Sequence, residues 1–164
     1  MVRFLTAFVL LGLMCLCSVV SYASVVDDVA DVLKELKSKN AGVRASAAKE
    51  VGRLGAVRAS DVKDAIPLLL NIIKKDQETS TRKAAIEALG RIDPDPKETV
   101  PVLLEALKDK NAPVRQAAAE ALGQFPSEAS GIIPVLKESE KDKNKMVERA
   151  AKMALKNLRE QKKE

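Results

Sequence analysis

The chain has 164 residues but no histidine and no tryptophan, one tyrosine, three phenylalanines and two cysteines. Most of these few lie at the start. Cys15, Cys17, Phe4, Phe8 and Tyr22 all precede residue 24, so a chain processed there keeps Phe125 as its one aromatic and has no thiol. Without His or Cys such a chain has no imidazole base, no Ser-His or Cys-His pair and no thiolate nucleophile. Zinc and haem sites of the usual kinds are excluded for the same reason. It can form no disulfide, so its stability rests on packing. No glycine-rich phosphate loop is present. Carboxylates are plentiful, but nothing places two of them in an apolar pocket, which acid/base work requires. No catalytic, cofactor or metal residue is therefore expected.

Charge is nearly absent from the first 23 residues. Arg3 is the only charged side chain before Asp27, and FLTAFVLLGLMCLCSVV (4–20) is almost wholly apolar. Ser21-Tyr22-Ala23 follows, with small residues at its first and third positions. A charged start, an apolar run and a small-x-small exit are expected of a secretory signal peptide cleaved after Ala23, leaving an exported domain over 24–164. An uncleaved anchor is the alternative, since the run approaches the length of a membrane span. Cys15 follows Met14 and Cys17 follows Leu16, so neither has the small neighbour that a lipid-bearing cysteine needs.

What is present is repetition. VRASAAKEVG (43–52), TRKAAIEALG (81–90), VRQAAAEALG (114–123) and VERAAKMALK (147–156) align without gaps. The last three copies are offset by 33 residues and the first two by 38, which places about five extra residues around Gly55–Val62. Before each copy runs an apolar stripe at i, i+3, i+4, i+7: Val29, Val32, Leu33 and Leu36; Ile66, Leu69, Leu70 and Ile73; Val100, Leu103, Leu104 and Leu107. That spacing lines one helical face. The fourth stripe, Ile133, Leu136, Lys137 and Glu140, keeps half its apolar character, as a terminal unit with a polar outer face should.

Each unit thus reads as helix A, turn, helix B. Pro67, Pro101 and Pro134 are expected in the first turn of helix A. Asn40, Asn111 and Asn144 share one register, where they can cap helix B, while Glu78 at the same register caps poorly. The alanines of helix B allow close helix approach, and Gly52, Gly90 and Gly123 are expected as close contacts or near C-caps. Asp93-Pro94-Asp95-Pro96 reads as a turn, because no further ligands follow at calcium-loop spacing. One helix pair cannot bury its own stripe, and stacked pairs can. The expected fold is all-α: a solenoid of four antiparallel helix pairs, with repeats about 26–55, 62–93, 97–126 and 129–160. The eight helices are expected near 26–38, 41–54, 62–75, 79–92, 97–108, 112–125, 129–141 and 145–160.

VPVLLEALKDKNAPVRQAAAEALG (100–123) closely resembles the short HEAT-like repeat of phycobilisome lyases and of many bacterial scaffold proteins. The likeness extends over nearly all of 26–159. The tetratricopeptide unit needs large aromatics and the ankyrin unit a T-P-L-H turn, and both are missing. The resemblance implies a ladder from the Arg that opens helix B to an Asp at a turn. The matching positions are Arg44, Arg82 and Arg115 with Asp76, Asp109 and Asp142; Ser38 and Glu148 stand at its two ends. It also implies that helix B lines the concave side. The outward positions there are Lys49, Arg53, Lys83, Glu87, Arg91, Gln116, Glu120 and Gln124, a mixed-charge surface suited to a protein partner.

Two enzymes are implied by the same resemblance. Di-iron hydroxylases of this type need His-Glu motifs, which are absent. Bilin attachment is the other, but those lyases act on cytoplasmic-side antennae and tend to be longer arrays.

Charge is uneven along the domain. Residues 24–134 hold 17 basic and 17 acidic side chains, and residues 135–164 hold 10 and 6. Lys145, Arg149, Lys152, Lys156, Arg159 and Lys163 are spaced 4, 3, 4, 3 and 4 apart, which stacks them on one side of a helix. Lys152 and Lys156 replace an Ala and a Gly of the inner repeats, so the stripe is expected to cap the array and keep the chain a monomer. Attraction to an anionic membrane surface is the other reading. With no Trp, Tyr or apolar face beside the stripe, such contact is expected to be peripheral and lost in salt. Nucleic acid is not expected as a partner, because base-stacking aromatics are lacking.

Overall fold

A computed structural model describes residues 29–161. Among them are eight α-helices and no strand. The described part of α1 covers 29–35. Then follow α2 (Ala41–Gly55), α3 (Ile66–Lys75), α4 (Thr79–Ile92), α5 (Pro96–Ala106), α6 (Ala112–Leu122), α7 (Ala129–Ser139) and α8 (Lys145–Gln161). The five extra residues before α3 are absorbed by a 3-10 segment, Ala59–Ala65, which buries Val62 and Ala65. The expected 62–75 helix is thus two elements. The signal-peptide reading and Lys163 lie outside the described residues.

The helices form two layers. α2, α4, α6 and α8 stack side by side, and α3, α5 and α7 lie behind them. Contacts within the first layer are much denser than within the second, so the B helices lie closer together than the A helices. Residue size explains this. A Cβ on Gly52 would stand 2.9 Å from the Ala88 Cα, and one on Gly123 would stand 3.0 Å from the Ala154 Cα. Only a residue without a side chain permits that approach. Every major contact joins elements of the same or neighbouring repeats.

The apolar stripes face the core, but not evenly. Leu69, Leu103 and Leu136 are fully buried. Leu33, Leu70 and Leu104 lie at the stripe's edge and are only half-buried. Ile72, Val102 and Ile132 are buried although the four-position spacing omits them. A single stripe marks the direction of a face; neighbours on both sides of the A layer widen it.

Two local expectations need correction. Pro67 does sit at the start of α3. Pro101 and Pro134, however, lie inside α5 and α7, which begin a turn earlier. Pro96 opens α5, capped by Asp95 through the Lys97 N–H at 2.9 Å. Asn40 and Asn144 cap α2 and α8 by accepting from Gly42 N at 2.8 Å and Met146 N at 2.9 Å. Asn111 makes no such bond. The residue two further on is Pro113, which has no N–H to give. Residues 93–95 link α4 to α5, with Asp93 in the left-handed region at φ 52, and Pro96 already belongs to α5.

Candidate binding surfaces

The A–B turns and the starts of the B helices build one continuous polar row. Arg44 donates from Nε and Nη2 to both carboxylate oxygens of Asp76, at 2.6 and 2.9 Å. Arg82 does the same to Asp109 at 2.9 and 3.0 Å, and Arg115 to Asp142 at 2.7 and 2.9 Å. Each Arg reaches forward one repeat. Its Nη1 also reaches back to two carbonyls of its own turn: Ser38 and Lys39, Asp76 and Gln77, Asp109 and Lys110. Each Asp in turn accepts from the backbone N–H two residues on: Glu78, Asn111 and Asn144. Ser38 does this for Asn40 in the first repeat, where no preceding Arg calls for a carboxylate.

These groups are largely enclosed; Arg82 and Arg115 are 6% and 7% exposed. Burial pushes the Asp76 and Asp109 carboxyls up, but Arg44 and Arg82 and the turn N–H groups outweigh it and hold both below the ordinary carboxylate range. For Asp142 the Arg115 hydrogen bond is the largest influence, and the direction is the same. Four of the five N–H donors of Arg82 and of Arg115 are engaged within the protein, so the ladder ties each repeat to the next as a structural row. The two-residue Asp spacing was its only sequence trace beyond the Arg–Asp register; the Nη1 clamp left none.

The outer side of the B layer carries the eight candidate residues. Lys49, Arg53, Arg91, Glu120 and Gln124 are exposed, and Lys83, Glu87 and Gln116 are half-buried. Glu50 holds Arg53, Lys83 lies 3.4 Å from Glu87, and Gln116 donates to Glu120 at 2.9 Å. Between α4 and α6 a groove of about 220 Å³ is lined by Glu87, Arg91, Glu120 and Gln124 over a floor of Gly90, Ala117 and Ala121. It thus joins four of the eight; Lys49, Arg53, Lys83 and Gln116 lie outside it. A groove of about 330 Å³ on the A layer borders Ile73, Val102 and Glu105. Another of about 430 Å³ borders the α4–α5 link, Pro96 and Phe125. Among the described residues no group of three His, Cys, Asp or Glu could hold a metal ion.

On α8, Lys145, Arg149, Lys152, Lys156 and Arg159 are all exposed. Glu148, at the ladder's Arg register, bonds Lys145 at 2.8 Å and Lys152 at 2.7 Å. Those two ammonium groups lower its carboxyl to about 2. One expectation about this helix is wrong. Met146 and Met153 are 51% and 67% exposed, so apolar side chains do stand beside the cations.

Comparison with known proteins follows this geometry. The family model for HEAT repeats matches residues 66–156. The chain belongs to the HEAT repeat family. No curated protein matches it. Among solved structures, this HEAT repeat chain is similar to an engineered protein of the Northeast Structural Genomics Consortium, with a TM-score of 0.65 and 24% identity over 80% of this chain and 62% of that one. It is also similar to a designed armadillo repeat protein in complex with the peptide (KR)4, with a TM-score of 0.64 and 17% identity over 77% and 62% of the two chains. It therefore spans about three fifths of their length, and the likeness is one of fold.

Proposed function

We propose that this HEAT repeat chain is a non-catalytic scaffold that holds an extended segment of a protein partner across its B layer. The observation that carries the reading is the α4–α6 groove. Its floor of Gly90, Ala117 and Ala121 leaves room for one long side chain, and Glu87 and Glu120 stand at its walls. A lysine or arginine of the partner fits there, with its stem over the small residues and its charge beside the carboxylates. Arg91 lines the same groove and Arg53 lies on the preceding B helix, and both favour acidic residues elsewhere in the same segment. The surface has no aromatic anchor, so binding is expected to be weak and steered by charge. The fold is one on which the designed armadillo protein holds a basic peptide.

An alternating Lys-Arg peptide tests this by fluorescence anisotropy. It should bind at low salt and weaken about tenfold or more in the Glu87→Gln, Glu120→Gln variant, through loss of two charge-assisted contacts. Arg53→Ala with Arg91→Ala should not weaken it, but should weaken an alternating Glu-Asp peptide. Equal binding of the basic peptide to wild type and the Gln variant would refute the assignment. We also propose that the chain is exported and processed after Ala23, on the strength of the 4–20 apolar run and the Ser21-Tyr22-Ala23 exit. A mature protein whose mass still includes residues 1–23 would contradict this.

A further inference from the structure

The exposed side of α8 combines two features found together nowhere else among the described residues. Its cations Lys145, Arg149, Lys152, Lys156 and Arg159 fall within about a quarter of the helix circumference. Two of the three exposed large apolar side chains, Met146 and Met153, stand next to them; the third is Val57. Along one line of the helix the order is Met146, Arg149, Met153, Lys156, at steps of 3, 4 and 3 residues. The methionines are therefore about 10 Å apart on the same side, each followed by a cation.

The opposite face of α8 is fully engaged, with Val147, Ala150, Ala151, Ala154, Leu155 and Leu158 buried. This outer side is left over from folding. Among the described residues no helix packs on it, and Lys152 and Lys156 stand where Ala119 and Gly123 of α6 face the next repeat. The cations from Lys145 to Arg159 extend about 21 Å along the helix. Arg149 and Arg159 have no carboxylate partner among the described residues.

We propose that this side of α8 docks on an anionic lipid headgroup layer, with the basic side chains on the phosphates and carboxylates and Met146 and Met153 dipping into the interface. Three points favour lipid over a protein partner. A protein partner anchors in pockets, and the three grooves described above are lined by other residues, only Gln161 of α8 touching one. A bilayer needs no pocket; it needs charge on a flat strip. Unbranched methionine adapts to a disordered surface, and long Lys and Arg stems let the heads stay at headgroup level while the sulfur atoms go deeper. The contact is peripheral, since no described helix is long and apolar enough to cross a membrane. It is independent of the B-layer reading and uses other residues.

Co-sedimentation with phosphatidylcholine vesicles, with and without phosphatidylserine, tests the proposal. The full chain and residues 24–164, which contain the whole described core, are run in parallel. The apolar 4–20 segment has no charge preference, so the difference between the two vesicle types reports α8. Both forms should prefer anionic vesicles at low salt and lose that preference at high salt. Arg149→Gln with Arg159→Gln should lower the affinity about tenfold or more. Met146→Ser with Met153→Ser should lower it by about tenfold while leaving the salt dependence unchanged. All four side chains are exposed, so the melting temperature by circular dichroism should stay as in wild type. No preference for anionic vesicles at low salt, or one that the Arg variant keeps in full, overturns the proposal. A Met variant that binds as wild type overturns the inserted methionines.

Discussion

Replacing Arg82 by Ala should cost about 3–5 kcal/mol, far more than an ordinary ion pair at a surface. Arg82 makes four hydrogen bonds: two to Asp109 and two to the carbonyls of Asp76 and Gln77. Its side chain is 7% exposed and that of Asp109 is 15%. Truncation leaves a half-enclosed carboxylate with only the Asn111 N–H and two carbonyls without their donor. An orphaned buried group costs about 1–3 kcal/mol, and a charged one more. Arg82→Lys should lose most of the same amount, because one ammonium cannot hold both oxygens of Asp109 and still reach back to the turn. Urea unfolding followed by circular dichroism gives the numbers. A loss below about 1 kcal/mol for Arg82→Ala would mean that the pair behaves as a solvated one. Inter-repeat register would then rest on the Gly–Ala contacts alone.

Leu103→Ala should cost about 2–5 kcal/mol and Leu104→Ala clearly less, since Leu103 is fully buried and Leu104 lies at the edge; equal losses would contradict the observed core. The ladder also sets a pH dependence. Asp76, Asp109 and Asp142 all titrate lower in the fold than unfolded, so their stabilisation is complete above the unfolded value of about 3.9 and is lost as pH falls through the folded values. Urea midpoints should be flat from neutral pH down to about 5 and then fall in a slope that Asp109→Asn reduces. In the first and last repeats, Glu50, Lys152 and Lys156 occupy positions filled by Ala88, Ala119 and Gly123 in the middle repeats. Glu50→Ala with Lys152→Ala and Lys156→Gly should associate more strongly than wild type in sedimentation equilibrium; an unchanged mass would contradict the capping role.

Much of this was legible in the residues. The 33-residue offset, the alanine-rich helices and the Arg–Asp register define the order of elements, because each reflects a requirement that recurs in every unit. Position-specific features were harder. Asn111 shares a register with Asn40 and Asn144, yet its function depends on Pro113. Leu104 and Leu103 look equal in a periodic pattern, and depth is set only once a neighbouring repeat covers one of them. Thr99 is fully buried with no partner for its hydroxyl, where Ala65 and Ile132 stand in adjacent repeats, and a periodic pattern does not mark it. The Met153 signal was available, since it aligns with Glu87 and Glu120, two outward positions. An apolar residue there could have been read as exposed.

The ladder partners lie 32, 27 and 27 residues apart in the chain, and no major contact reaches beyond the adjacent repeat. Ordering one repeat against its neighbour therefore closes a loop of nearly constant size, however many repeats follow. A chain wired in this way has no late step in which distant ends must meet. Refolding from denaturant should therefore be complete within milliseconds, and one repeat can order on its neighbour before the rest of the array has formed.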